Sequence, residues 1–301
     1  MNAMSDHEFN LYRKLVYDRA GIALNPSKKA LLEARLGRRV RQLGMESFRA
    51  YYEYVTADRT GGEMVCLLDR VATNATHFFR EPRQFQFVAQ KLLPGWITQA
   101  HNGERPPRVR TWSAGCSTGE EPYSLAMLLL DFLSPIAGWE VEIIGTDLSS
   151  RALESAKKAI WSIEKAKEIP EEYLKRYMLK GTGSQSGLMK AGPQLRSMVH
   201  FQHLNLNDGH SAIAGLFDLI FCRNVLIYFD AESRSRVIQT IIKHLGMPGY
   251  LFVGHAESLA GLSEQLQHVI PTVYRHVAET DVIGQALSGA ELTRTAAHGC
   301  Q

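Results

Sequence analysis

The chain has 301 residues, of which 45% are hydrophobic, 22% charged and 9% aromatic. That globular balance excludes a disordered or collagen-like chain and suits about two domains. Its 34 Lys and Arg against 31 Asp and Glu leave a formal charge of +3, so no global field calls for nucleic acid or membrane, and electrostatic recognition must come from local patches. The N-terminus, MNAMSDHEFN, has neither the basic nor the apolar region of a signal peptide. Leu125 to Leu133, the densest apolar stretch, is about half a bilayer span and contains Asp131, which makes it a core helix. Four scattered cysteines with no C-x-x-C argue against a zinc ribbon or disulfide framework and suit a reducing cytoplasm. No metal site is expected.

Residues up to about 73 read as helices only. From Ser27 to Gly44, Leu32, Leu36, Val40 and Leu43 recur at helical spacing, with Ser27 as the expected N-cap and Gly44 just past the end. Lys28, Arg35, Arg38 and Arg39 fall within an arc of about 100° flanking that apolar face. Six basic residues face one acid, Glu33, between 28 and 41. Two readings stand: a solvated flank, or a surface for an acidic partner. From about 108 the pattern alternates. Strands are expected at Val109–Ser113, Glu140–Thr146 (ending in Asp147), Phe217–Cys222, Tyr250–Gly254 and Val269–Val277. Helices are expected to Leu133, over Ser149–Trp161 and over Ala231–Leu245. This is an α/β pattern, a doubly wound parallel sheet with one late antiparallel addition. Residues 178–200, with four glycines and short apolar runs, read as a small hairpin insertion. From about Glu279 a mobile tail is expected.

The Gly-bearing loop A-G-C-S-T-G-E-E (114–121) after the first strand, with Asp147 ending the second, is a nucleotide-binding arrangement. Two glycines merely turning a strand into a helix would look the same. Glu120 and Glu121 at the helix start would repel a pyrophosphate. S-adenosylmethionine has no phosphate and carries a sulfonium and an ammonium, so the loop favours it over NAD. Asp147 is placed to accept from a ribose diol.

T-N-A-T-H-F-F-R-E (73–81), W-S-A-G-C-S-T-G-E-E-P-Y-S (112–124), F-C-R-N-V-L-I-Y-F-D (221–230) and G-H-A-E-S (254–258) occur in this order. Together they resemble the chemotaxis receptor glutamate O-methyltransferases, the CheR family, over nearly the whole chain to about 278. The resemblance implies an all-α N-terminal domain (1–73) and a Rossmann-like, S-adenosylmethionine-dependent methyltransferase domain (74–278). The insertion near 178–200 matches that family's small β-subdomain. The implied activity is methyl transfer to glutamates on the cytoplasmic domain of chemoreceptors, giving 5-O-methyl esters and S-adenosylhomocysteine. Implied cofactor contacts are Asn74, Thr76, Arg80, Glu121, Asp147, Asn205, Leu206, Arg223 and Asn224, with Arg80 and Tyr228 at the methyl-transfer centre. Ala256 departs from the more common Ser and touches none of these. Without the resemblance, Tyr228 reads equally as a packed aromatic, and Arg80 as an ion pair with Glu81.

The implied partner of Lys28, Arg35, Arg38 and Arg39 is the receptor, and a receptor C-terminal peptide is a candidate ligand of the β-subdomain. A cytoplasmic monomer recruited to membrane receptor arrays is expected, with no membrane insertion. A nucleic-acid methyltransferase is the first alternative, but 221–230 lacks the prolines of an (Asp/Asn)-Pro-Pro-(Tyr/Phe) string and no aromatic-interleaved basic stripe appears. A catalytically silent, receptor-binding relative is the second.

Overall fold

The computed structural model describes residues 3–133, 137–208, 213–259 and 261–278; the expected tail, 279–301, lies outside them. Four helices open the chain: α1 (Asp6–Ala20), α2 (Lys29–Gln42), α3 (Phe48–Ala57) and α4 (Gly62–Val71). Ser5 and Glu8 bond reciprocally at the head of α1, which satisfies two donors that a helix start otherwise leaves open. On α2, Leu32, Leu36 and Val40 are buried as their spacing requires, and Gly44 takes a left-handed backbone (φ +68°) just past the helix. Ser27 does not cap it. Pro26 instead starts a 3₁₀ turn, Pro26–Lys28, in which the Ser27 hydroxyl donates to Asn25 Oδ1 (2.6 Å), so the α-helix begins at Lys29. The four helices share a core that includes Tyr12, Leu36, Tyr51 and Leu67.

A stretch without regular structure leads into α5 (Pro82–Phe87) and, through a π turn, α6 (Leu93–His101). Strand and helix then alternate through β1 (Arg108–Ala114), α7 (Glu120–Phe132), β2 (Glu140–Asp147) and α8 (Ser150–Lys158). Next come β3 (Ile160–Ser162), α9 (Glu171–Tyr177), β4 (Met178–Lys180), β5 (Leu188–Ala191), α10 (Pro193–Met198) and β6 (Val199–His203). The chain continues through β7 (Phe217–Cys222), α11 (Ala231–His244), β8 (Leu245–Val253), β9 (Leu266–Ile270) and β10 (Val273–His276).

The large sheet runs β6-β2-β1-β7-β8-β10-β9, with every pairing parallel except those of β10, which is antiparallel to both β8 and β9. Along β7, Leu219 and Phe221 enter one core while Ile220 and Cys222 enter the other. That is why FDLIFC is nearly all apolar: both faces of a central parallel strand are covered. Among the described residues no helix is long and apolar enough to cross a membrane.

Three further expectations are corrected. The helix expected to reach Trp161 stops at Lys158, where Ala159 turns left-handed (φ +55°) and Ile160–Ser162 pair with β5. The insertion is therefore a three-stranded antiparallel sheet, β3-β5-β4, that starts at 160, while the end of the expected hairpin, from Val199, belongs to the large sheet beside β2. The last expected strand is a hairpin of β9 and β10 that turns through Thr272 at φ +70°.

Candidate active site

The order β2-β1-β7 reverses the direction of chain progression at β1, which opens a crevice beyond the carboxyl ends of the strands. The helical N-terminal part closes it. Ile22 bridges Phe229, Ala23 N–H donates to the Tyr228 carbonyl (2.8 Å), and Tyr17 Oη donates to Asp230 (2.6 Å). Between them lies a cavity of about 420 Å³, within the range of small-molecule sites. Its wall includes Asn74, Thr76, Arg80, Glu121, Asp147, Asn205, Leu206, Arg223, Asn224 and Tyr228, and also Lys28 from the 3₁₀ turn and Arg35 from α2.

The 114–121 loop needs its glycines. Gly115 (φ +81°) lies so close to the loop after β7 that a Cβ would sit 2.3 Å from Val225 Cγ2. At Gly119 (φ +95°) a Cβ would sit 2.9 Å from that of Ala156 on α8. Both combine a backbone that L residues avoid with no room for a side chain. The loop so formed aims Ser117 N–H at Asp147 Oδ2 (2.7 Å), while Ser149 N–H donates to Oδ1 (2.8 Å). Desolvation outweighs these two bonds and holds the Asp147 carboxyl above the ordinary value of 3.8. Each oxygen keeps a lone pair for a ligand hydroxyl.

The two carboxylates at the head of α7 are both paired, which corrects the expectation that they act as free negative charges. Glu121 accepts from Ser113 Oγ (2.6 Å) and from Arg223 Nε (2.5 Å). Glu120 accepts from Thr118 Oγ1 (2.7 Å) and from Lys165 Nζ (2.8 Å). Arg223, 6% exposed, lies between the rings of Phe85 and Phe221 and also donates to the Arg80 carbonyl and to Gln84 Oε1. It reaches the cavity as a structural cation of its wall. Asp147 has no cation partner among the described residues, and is the anionic acceptor the cavity retains.

Asn224 adopts φ +59°, a conformation that Asn tolerates better than most side chains. Its N–H donates to Glu257 Oε2 (2.8 Å), which also accepts from Gly254 N–H (2.6 Å). Asn224 Oδ1 is buried with no partner among the described residues, an acceptor whose cost a ligand donor would remove. Asn205 is more committed: its amide donates to the Arg19 carbonyl (2.8 Å) and to Asp208 (2.6 Å). Among the described residues the Asn74 side-chain amide donates only to Ser149 Oγ, at 3.4 Å. The Arg80 guanidinium has no hydrogen-bond or ion-pair partner among the described residues, Glu81 included. Tyr228 lines the cavity and packs against the helical core.

The basic residues of α2 divide. Arg39 is drawn inward into a two-bond pair with Glu63 (2.8 and 2.6 Å), whose Oε1 also accepts from Tyr51 Oη. Arg35 donates to the carbonyls of Val71 and Ala72 and to Thr73 Oγ1 (3.0 Å). Lys28 and Arg38 stay exposed. Sequence reasoning missed Lys165, Gln84, Ser117 and Glu257. Glu257 lies in the G-H-A-E-S string already singled out, but only the fold reveals that it receives three backbone N–H groups, those of Gly254, Asn224 and Ile227.

The donor set fits S-adenosylmethionine: an anionic acceptor in the cavity wall, an amide oxygen with no partner among the described residues, and a cavity of suitable size. Residues 7–72 match the CheR methyltransferase all-alpha domain, and residues 74–275 match the CheR methyltransferase SAM binding domain. The chain is 36% identical to a chemotaxis protein methyltransferase of Escherichia coli K12, over 90% of this chain and 91% of that one. It is 35% identical to a chemotaxis protein methyltransferase of Borreliella burgdorferi (87% and 91%) and 36% identical to chemotaxis protein methyltransferase 2 of Pseudomonas aeruginosa (89% and 92%). The two matches together run from α1 into β10, and the chain belongs to the CheR methyltransferase family.

Proposed function

We propose that the protein transfers a methyl group from S-adenosylmethionine to glutamate side chains of chemoreceptors, giving glutamate 5-O-methyl esters and S-adenosylhomocysteine. The observation that carries this reading is the makeup of the cavity wall. It holds an anionic acceptor, Asp147, and an unpaired guanidinium, Arg80, and among its described residues there is no histidine. A glutamate, with an ordinary pKa of about 4.3, arrives ionised and needs no general base. Bound S-adenosylmethionine supplies an electrophilic methyl on a sulfonium. The chain's own residues bind and orient. Asp147 holds the ribose and Asn224 Oδ1 accepts from a ligand donor, with Asn74, Thr76, Asn205 and Leu206 completing the contacts. Arg80 draws in the incoming carboxylate, Tyr228 presents its hydroxyl beside it, and the enclosed wall excludes water. The test is radiolabelled methyl incorporation into receptor-enriched membranes: label released by mild base as methanol supports the ester, and base-stable label overturns it.

Asp147→Ala should weaken cofactor binding by about 1.5–3 kcal/mol, the worth of a charge-assisted hydrogen bond. Because the Asp147 pKa is raised, cofactor affinity should fall with decreasing pH sooner than an ordinary Asp at 3.8 would cause. In the free protein the sign is opposite: the folded state holds this proton more tightly, so ionisation costs stability as pH rises through the raised pKa, and Asp147→Ala removes that cost. Calorimetry with S-adenosylhomocysteine checks both, and unchanged affinity would remove Asp147 from the site.

On this reading residues 1–73 meet the receptor and 74–278 carry the transfer. Exposed Lys28 and Arg38, beside the cavity-lining Arg35, would face a glutamate-bearing helix, and Arg39 would act only through the packing of α2. Exposed pairs contribute about 0–1 kcal/mol each, so the effect is cumulative. Lys28→Glu with Arg38→Glu should slow receptor methylation several-fold and flatten its salt dependence, given a Debye length of about 8 Å at 0.15 M. Arg35 is left out because reversing it would disturb Val71–Thr73. Wild-type initial rates in the double variant would return this face to solvent. The small sheet offers a second contact, where Lys180 and Lys190 border a groove between Ile160 and Leu179 that suits a receptor C-terminal peptide. Such contacts would bring a cytoplasmic monomer to membrane receptor arrays, and equal methylation of receptors lacking that peptide would exclude the second.

A further inference from the structure

Residues 72–81 form neither helix nor strand, yet this segment carries Asn74, Thr76 and Arg80 into the cavity. Backbone polar groups away from water need partners, and here side chains supply them. The Val71 and Ala72 carbonyls accept from Arg35, and the Asn74 carbonyl from Ser117 Oγ (3.0 Å). The Thr76 carbonyl accepts from Lys165 Nζ (2.9 Å) and the Arg80 carbonyl from Arg223. Phe78 N–H donates to Glu168 (2.9 Å) and Phe79 N–H to Ser124 Oγ (2.9 Å). Two of these partners, Lys165 and Glu168, come from one 3₁₀ turn of the insertion, Ile163–Glu168.

We propose that Lys165 is a positioning residue for methyl transfer: it fixes Thr76 to the head of α7, so that the insertion shapes the cofactor pocket. This rests on the reading of the cavity as an S-adenosylmethionine site. The ammonium bridges two acceptors, the Thr76 carbonyl and Glu120 Oε1. Glu120 is 1% exposed, so its charge has little water to turn to and is held by the lysine. The turn that delivers Lys165 is itself anchored. Trp161, just before it, donates from Nε1 to the Thr118 carbonyl (3.3 Å) and meets Phe78 and Tyr123 edge-on, with centroids 5.0 and 5.2 Å apart. Without Lys165 the nearest ties of the segment among the described residues are at 74 and 78, and they leave the pocket-lining part between them without a fixed point there.

The test is Lys165→Met, read by S-adenosylhomocysteine calorimetry and by kcat and KM for the cofactor and for receptor. Misplacing a site by 1 Å can cost up to about 100-fold, and a shift confined to one wall should weaken cofactor affinity roughly tenfold with receptor KM unchanged. Lys165→Arg should recover part of it. Since Lys165→Met also strands the Glu120 charge, the double variant Glu120→Gln, Lys165→Met should regain thermal stability without regaining affinity. Wild-type affinity in Lys165→Met, or recovery of affinity together with stability in the double variant, would show that the lysine only balances Glu120. Absence of S-adenosylhomocysteine binding by the wild-type protein would overturn the reading of the cavity itself.

Discussion

Replacing Arg223 by Met is expected to lower the unfolding free energy by about 3–5 kcal/mol, because it leaves a buried carboxylate uncompensated. The Arg223 and Glu121 side chains are 2% and 9% exposed, so water cannot take over the lost pairing. The same change frees the Arg80 carbonyl and Gln84 Oε1, and removes the cation between Phe85 and Phe221. Methionine fills a similar volume, so the loss is electrostatic rather than a cavity. Chemical denaturation of the protein without cofactor measures it. The partner variant Glu121→Gln with Arg223→Met separates two causes. If the cost comes from the stranded charge, the double variant should regain part of the stability, the remainder belonging to Glu81, whose buried carboxylate lies 3.9 Å from Arg223. If it comes from the lost tie to the Arg80 carbonyl, it should not. A single variant as stable as wild type would show that the bond from Ser113 suffices to hold Glu121.

How far the sequence is legible depends on the range of the interactions that decide each feature. Asp147 and the 114–121 loop are legible because strand end, glycine turn and helix start are neighbours in the chain. Apolar periodicity likewise places α2, β7 and α11 to within a few residues. Ile160–Ser162 is not legible in the same way: a helical pattern runs into it, and only pairing with Leu188–Lys190, some 28 residues on, makes it a strand. Charges are the hardest to read. Arg35, Arg38 and Arg39 look equivalent on a helical wheel, yet Glu63 claims Arg39 and the Val71 and Ala72 carbonyls claim Arg35. The pairing of Glu120 and Glu121 is hidden for the same reason. Their cations, Lys165 and Arg223, lie 45 and 102 residues away, and no local pattern announces them.

Arg80→Ala is expected to lower methylation turnover by roughly 100-fold, the cost of losing the alignment of the attacking oxygen with the methyl group. Arg80 is tied through its backbone while its guanidinium is unpartnered among the described residues. Its carbonyl is tied by Arg223, and Phe78 and Phe79 just before it are held through their N–H groups, so its backbone is fixed. Its guanidinium lines the cavity with no partner among the described residues. A fixed base with a free cation is the arrangement needed to orient a glutamate that has to lose its water before it attacks. S-adenosylhomocysteine affinity should fall much less than kcat, since Asp147 and the loops after β1 and β7 remain. Tyr228→Phe, which keeps the ring against the helical core and removes only the hydroxyl, should lower kcat by a smaller factor and leave stability unchanged. Single-turnover kinetics with receptor in excess distinguish the roles. A fall in kcat with little change in affinity supports Arg80 and Tyr228 at the transfer centre. If Arg80→Ala weakens S-adenosylhomocysteine binding as much as it lowers turnover, Arg80 serves the cofactor alone. The carboxylate must then be oriented from the α2 side, where Lys28 and Arg35 border the same cavity.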